Sequence, residues 1–150
     1  MRTIIAIWVM TSFISCKQKQ AAVEKLDAGT EYKMHEQGSG ENVRTGNWLK
    51  LQVVQLYNDS VLNDTRRTGP VYQKYDSATM SKESLAVFKN VKAGDSLEFK
   101  VSADSAFKNN RPAFAKAGGW LVTRVKVEKI LPTEDAYQDE RRSDTILHKK

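Results

Sequence analysis

Cys16 is the residue whose type and position together point most directly to a reaction. It is the only cysteine among 150 residues. It stands where an apolar run from Thr3 to Ser15 meets Lys17-Gln18-Lys19-Gln20, behind a Met1-Arg2 start. A basic start, an apolar core of about a dozen residues and a small residue before a processing point read as a bacterial export signal. The run is too short to span a ~30 Å hydrocarbon core as a mature helix. Other residue types that commonly do chemistry are sparse. His35 and His148 are the only histidines, one in an alternating stretch and the other near the C-terminus, so neither a triad nor a histidine metal site is expected. Gly38-Ser39-Gly40 lacks the following helix and lysine of a phosphate cradle and reads as a turn.

The end of the apolar run, Phe13-Ile14-Ser15-Cys16, resembles the lipobox of bacterial lipoproteins, with phenylalanine where leucine is usual. The resemblance implies cleavage before Cys16, lipidation of Cys16 and a mature protein that begins there. It also implies attachment to a membrane through that lipid, at the bacterial cell envelope and facing the periplasm. With its only thiol acylated, the mature chain has neither a disulfide framework nor a cysteine metal site. No other stretch approaches membrane-spanning length, so the remainder is expected to fold in water on its tether.

Charge excludes one class of partner. The net charge is +6, which can mark a nucleic-acid binder. Here the bases alternate with acids, as in Glu98-Phe99-Lys100 and Lys126-Val127-Glu128-Lys129. Such interleaving describes a solvated surface, weakly attracted to anionic lipid at most. A nucleic-acid partner is not expected.

Removal of residues 1–15 leaves enough chain for one domain. Residues 16–30 are small and polar and read as a flexible tether. Residues 132–150 carry Asp139-Glu140-Arg141-Arg142 and few large apolar side chains, and read as a solvated, frayed polar tail. The domain is therefore expected over residues 31–131. Within it Tyr32-Lys33-Met34-His35 alternates and stops at Gly38. Trp48 to Tyr57 is rich in strand formers, with Leu49, Leu51 and Val53 on one face, and breaks at Asn58-Asp59-Ser60. Val61-Leu62 and, after the Gly69-Pro70 turn, Val71-Tyr72 are short extended pieces. Ser81 is a candidate N-cap for a helix presenting Leu85, Phe88 and Val91, with Gly94 beyond its end. Leu97, Phe99 and Val101 alternate, Lys108 to Gly119 is a loop, and Trp120 to Leu131 is a long closing strand.

This order of elements resembles an FKBP-type peptidyl-prolyl isomerase domain, in the degenerate form found in lipoproteins of Bacteroidetes type. Tyr32-Lys33-Met34, Gly38-Ser39-Gly40 and Gly46-Asn47-Trp48-Leu49 resemble the family's opening strand, its Gly-x-Gly turn and its Gly-Asp-x-Val entry to the next strand. Asp59-Ser60-Val61-Leu62-Asn63-Asp64-Thr65 resembles its Asp-Gly-x-x-Phe-Asp-Ser segment. Val91-Lys92-Ala93-Gly94-Asp95-Ser96, with Phe99 to Asp104 after it, resembles the Met-x-x-Gly-Glu turn and the strand leading to Ile-Pro-x-x-x-Ala-Tyr. The implied fold is α+β: a bent antiparallel β-sheet wrapped over one short α-helix, with a cleft between them. No cofactor is implied.

The implied chemistry needs little acid–base machinery. Amide resonance sets a barrier of about 18–20 kcal/mol to rotation about a peptide bond. A dry, aromatic-walled cleft favours the twisted amide, and each ~1.4 kcal/mol removed from the barrier gives tenfold in rate. Several of the family's ring positions are changed in this chain. The pocket tyrosine falls near Val53, the Phe-Asp pair on Leu62-Asn63, the floor tryptophan near Ser84 and Leu85, the late tyrosine on Phe107, and the last aromatic near Thr123. The resemblance therefore implies the fold with an eroded pocket. The residues left to line a shallow peptide-binding cleft are Leu62, Tyr72, Tyr75, Met80, Leu85, Phe107 and Phe114, although Tyr72 and Tyr75, three apart in an extended piece, face opposite sides.

Three functions fit these features: an isomerase for exported chains, a non-catalytic module or holdase for unfolded or proline-containing segments, and a structural subunit of an envelope complex. All share the anchor. Cys16→Ala is expected to abolish incorporation of labelled palmitate in a bacterial host; label retained by the variant rules out acylation at this residue.

Overall fold

The computed structural model describes residues 23–26, 30–108 and 110–147. Cys16, the export signal over 1–15 and most of the expected tether lie outside them.

Seven strands build one antiparallel sheet: β1 (Val23–Leu26), β2 (Thr30–Glu36), β3 (Trp48–Tyr57), β4 (Ser60–Asp64), β5 (Val71–Lys74), β6 (Ser96–Ser102) and β7 (Trp120–Leu131). The strand order is β1-β2-β6-β7-β3-β4, and β5 also pairs with β3. The far edge of β3 is thus divided. β4 takes Val54 to Tyr57 and β5 takes Trp48 to Leu51. Between them runs the one-turn helix α1 (Thr65–Thr68), capped by Asp64, whose carboxylate accepts the Arg66 N–H. Thr65 ties this excursion back to the sheet, its Oγ1 accepting the Val53 N–H at 2.7 Å.

Alternation along β3 sets the two faces. Leu49, Leu51 and Val53 look toward helix α2 (Lys82–Phe88) and meet Val87, Phe88, Val91, Leu97, Val125 and Val127 in the main core. Ser81 caps α2, its Oγ accepting the Ser84 N–H at 3.2 Å. Here the short helix lies on a bent sheet, the architecture that the resemblance implies. The strand bounds expected for Trp48–Tyr57 and Trp120–Leu131 are those found.

Two of the expected boundaries differ. Val23–Leu26, assigned to the tether, pairs with β2 from Val23–Lys33 to Leu26–Thr30. The polar tail is a helix, α4 (Glu134–Leu147), lying over the opposite face of the sheet. Its attachment is mainly polar and aromatic, which is why apolar periodicity does not reveal it. Tyr137, Glu140 and Asp144, spaced three and four apart, share one face. Tyr137 stacks on Trp48 at 3.9 Å between centroids and meets Tyr72 edge-on at 5.3 Å. Lys50, buried near the start of β3, donates to Glu140 at 2.7 Å and to Asp144 at 2.8 Å. The Tyr72 hydroxyl donates to the other Asp144 oxygen at 2.5 Å. A register shift at Lys50/Leu51 makes Glu128 the extra residue of a β-bulge in β7 and pairs Lys129 with Lys50. Lys129 then also reaches Glu140, at 2.8 Å.

These contacts couple α4 to pH. Hydrogen bonds from Lys129 and Lys50 hold Glu140 below its ordinary 4.5. Burial alone lowers the Lys50 value, but its bonds to Asp144 and Glu140 outweigh that and raise it above 10.5. Burial and the bond to Asp144 raise Tyr72 as well. The carboxylate's contribution is full above pH 4.5 and is lost as pH falls through the depressed folded value. The lysine's contribution is full below pH 10.5 and is lost as pH rises through the raised one. Glu140→Gln is expected to cost about 1 kcal/mol near neutrality and to flatten the acid limb of α4 undocking. The Trp48 indole N–H, which donates to Glu134 at 2.9 Å, is the NMR reporter. An unchanged acid limb in the variant means that another carboxylate controls docking.

Candidate functional site

The concave face carries the candidate site, at the end of the sheet away from the tip of α4. Strand register arranges its side chains in rows. Val53, Val125, Leu97 and Met34 form one, Gln55, Thr123, Phe99 and Tyr32 the next, and Tyr57, Leu121, Val101 and Thr30 the last. The last row meets helix α3 (Ala103–Phe107) and the 108–119 loop. Ser102 caps α3, accepting the Ser105 N–H at 3.1 Å, and the Ala103 N–H donates to the Gly119 carbonyl at 2.8 Å.

Here three rings meet. Phe107 and Phe114 lie perpendicular with centroids 6.1 Å apart, and Phe114 meets Tyr57 edge-on at 5.7 Å. Tyr57, Ala103 and Ala115 are buried beneath them. Phe114 keeps 50% of its surface exposed. The Tyr57 hydroxyl holds the loop: it accepts the Lys116 N–H at 2.6 Å and lies 3.2 Å from the Lys116 carbonyl. Gly119 is required at this point, because a Cβ there comes within 2.2 Å of that hydroxyl.

The sequence candidates separate in space. Phe107 and Phe114 come together as one surface. Leu62 is the extra residue of a bulge in β4, between the Gln55–Asn63 and Leu56–Val61 pairs, and is 44% exposed. Leu85 is half-buried on α2, where its carbonyl accepts the Tyr75 hydroxyl at 3.3 Å. Met80 and Tyr75 pack against the main core rather than line an open cleft. Tyr72 is a correction: its ring and hydroxyl belong to the α4 side, against Tyr137 and Asp144. It pairs directly with Lys50, which points away from the core, and cross-strand partners share a face, so Tyr72 lies on that side as well. The positions that resemble the family's ring sites are modest here. Val53 packs on the core, and Thr123 sits between Gln55 and Phe99.

Tyr57 is the member of this site that sequence reasoning missed. Its only signal is its place as the last residue of β3, directly before the Asn58-Asp59 turn. That turn has positive φ at both residues, 43° and 69°, and Asn58 Oδ1 accepts the Trp120 N–H. Two cavities, of about 200 and 340 Å³, lie on the α4 side and share Gly69, Pro70 and Asp144. Neither is lined by Tyr57, Phe107 or Phe114.

Phe107 and Phe114 can hold an apolar group by contact, with Tyr57 buried behind them; the two phenylalanines offer no acid or base. Covering the exposed half of one phenylalanine ring is worth about 1 kcal/mol, so the surface holds weakly unless several neighbours share a ligand.

The class of fold is now defined: it is that of the FKBP-type peptidyl-prolyl isomerases. FkpA from Escherichia coli superposes with a TM-score of 0.58 over 77% of this chain, at 18% identity. A peptidyl-prolyl cis-trans isomerase from Pseudomonas syringae pv. tomato gives 0.54 over 73%, at 15% identity. A multi-domain immunophilin from Arabidopsis thaliana gives 0.53 over 74%, at 17% identity. The chain spans about half of two of these proteins, 54% of FkpA and 46% of the immunophilin, and 80% of the Pseudomonas enzyme. No family model and no curated protein matches the chain.

Tyr57→Phe keeps the ring and removes the hydroxyl that fixes the loop. The expected cost is about 1–2 kcal/mol of stability, with faster hydrogen exchange at the Lys116 amide. Unchanged exchange there shows that the loop is held by packing alone.

Proposed function

We propose that this chain is a lipid-anchored, FKBP-like peptide-binding domain of the bacterial envelope, which holds apolar, proline-containing segments of exported chains and catalyses their isomerisation weakly or not at all. The observation that carries the reading is the Tyr57–Phe107–Phe114 cluster, with Phe114 half exposed on a pinned loop. It supplies an apolar contact for a client. The rest of a catalytic pocket is thin: Val53 and Thr123 stand at two ring positions, Phe107 has no hydroxyl, and the Tyr57 hydroxyl is engaged by Lys116. A prolyl amide would meet one apolar wall and no free donor from these residues, so its barrier would fall little. The Pseudomonas neighbour is named as an isomerase. The shared fold supports a common place for the client, and the changed rings support a different outcome for it. Cys16 supplies the anchor in this reading.

Two assays on one preparation test it. The protein is expected to suppress aggregation of an unfolded client at near-equimolar ratio while leaving a proline-limited refolding rate unchanged, and Phe114→Ala weakens the suppression. Acceleration of refolding that disappears in Phe107→Ala would make the domain an isomerase. Neither acceleration nor suppression would remove both roles and leave the structural subunit.

A further inference from the structure

The loop that presents Phe114 is also basic. From Phe107 to Gly119 it contains Lys108, Arg111 and Lys116 and no acidic residue. Asp104, beside it and exposed, is already engaged: it pairs with Arg111 and accepts the Gly118 N–H at 3.3 Å. Arg111 is thereby neutralised. Lys108 and Lys116 are exposed and have no carboxylate partner among the described residues. Elsewhere many basic residues are paired, as Lys126 is with Glu36, Arg124 with Glu98, and Lys129 with Glu140.

The backbones of the two lysines are fixed next to the rings. Lys108 directly follows Phe107, with φ at 44° and its N–H bonded to the Asp104 carbonyl. Lys116 is two residues from Phe114 across the buried Ala115, and Tyr57 holds its backbone. An apolar side chain seated on Phe107 and Phe114 therefore lies against a stretch of backbone that carries two exposed lysines, one next to each phenylalanine in the chain.

We infer that the site selects segments in which acidic residues flank the apolar or prolyl residue, with Lys108 and Lys116 reading the negative charge. This rests on the peptide-holding role proposed above and names the class of client. Two exposed ion pairs are together worth about fivefold to tenfold in affinity at low salt, and screening removes most of that at high salt.

The experiment uses the full-length chain in nonionic detergent with three fluorescein-labelled peptides. Each has the same Leu-Pro centre, flanked by glutamate, serine or lysine. Fluorescence anisotropy is expected to order them glutamate, serine, lysine from tightest to weakest, with the order collapsing as salt is raised. The double variant K108E/K116E, checked for folding by circular dichroism, reverses the order. Equal affinities for the three peptides, or an order the double variant leaves unchanged, overturns the charge selection while leaving peptide holding intact. Absence of binding by all three overturns peptide holding and the selection with it. A lysine-dependent preference for phosphatidylglycerol over phosphatidylcholine vesicles, with no ordering of the peptides, assigns the two charges to a lipid surface and also overturns the inference.

Discussion

The side chain of Asp95 is almost wholly buried, and each of its oxygens accepts a backbone N–H: Gly38 at 2.6 Å and Lys92 at 2.8 Å. A buried carboxylate is costly unless it is fully hydrogen-bonded, and charge-assisted bonds to backbone donors are among the stronger ones available. The main chain around it is engaged too. The Asp95 carbonyl accepts the Val127 N–H, and the Gly94 N–H donates to the Val127 carbonyl. One residue therefore joins the exit of β2, the turn after α2, the start of β6 and the middle of β7. Gly38 makes this possible, because a Cβ there would lie 1.9 Å from the Ala93 carbonyl oxygen. The Gly38-Ser39-Gly40 turn and the Val91-to-Ser96 turn, far apart in sequence, are two halves of one joint. With that joint closed, α2 is held against Leu49, Leu97 and Val127, and the rest of the concave face follows by strand alternation.

The sheet is used on both faces, and the division of labour is physical. The concave face buries aliphatic side chains and Phe88 under α2 and gathers Tyr57, Phe107 and Phe114 at one end. The other face carries Lys50, Tyr72 and Trp48 under α4, where ion pairs and ring stacking replace an apolar seam. Such a seam is sensitive to charge in a way that the main core is not. Separating the faces also separates the two uses of aromatic residues, since Tyr72 and Tyr137 fasten a helix while Phe107 and Phe114 form a surface.

Much of the fold was legible because its signals are local. Alternation marks β3, β6 and β7, Ser81 marks the start of α2, and Pro112 with Gly118-Gly119 marks the long loop. The short helices α1 and α3 were not legible, because one turn of Thr-Arg-Arg-Thr or Ala-Asp-Ser-Ala-Phe has no period to read. The site was half legible. Phe107 and Phe114 carry size and position in their own sequence, whereas Tyr57 reads as the end of a strand and Tyr72 as a neighbour of the pocket. Placing either one requires the register of β3 with β5 and β7. Residues 134–147 were misread for a related reason: Tyr137, Glu140 and Asp144 look like a solvated face until Lys50 is put beneath them.

By itself the sequence determined the order of β2 to β7 with α2 among them, the turns between them and the exposure of Phe114, since each depends on residues within a few positions. Tertiary structure decided which side of the sheet each ring occupies, which acids find Lys50, and that the Tyr57 hydroxyl is engaged by the loop. Those outcomes depend on pairings between residues 59 to 94 positions apart. Alternation reports that two side chains face opposite ways, and only the packed sheet says which way is inward. The lone cysteine is the opposite case, a feature whose meaning lies in its immediate neighbours.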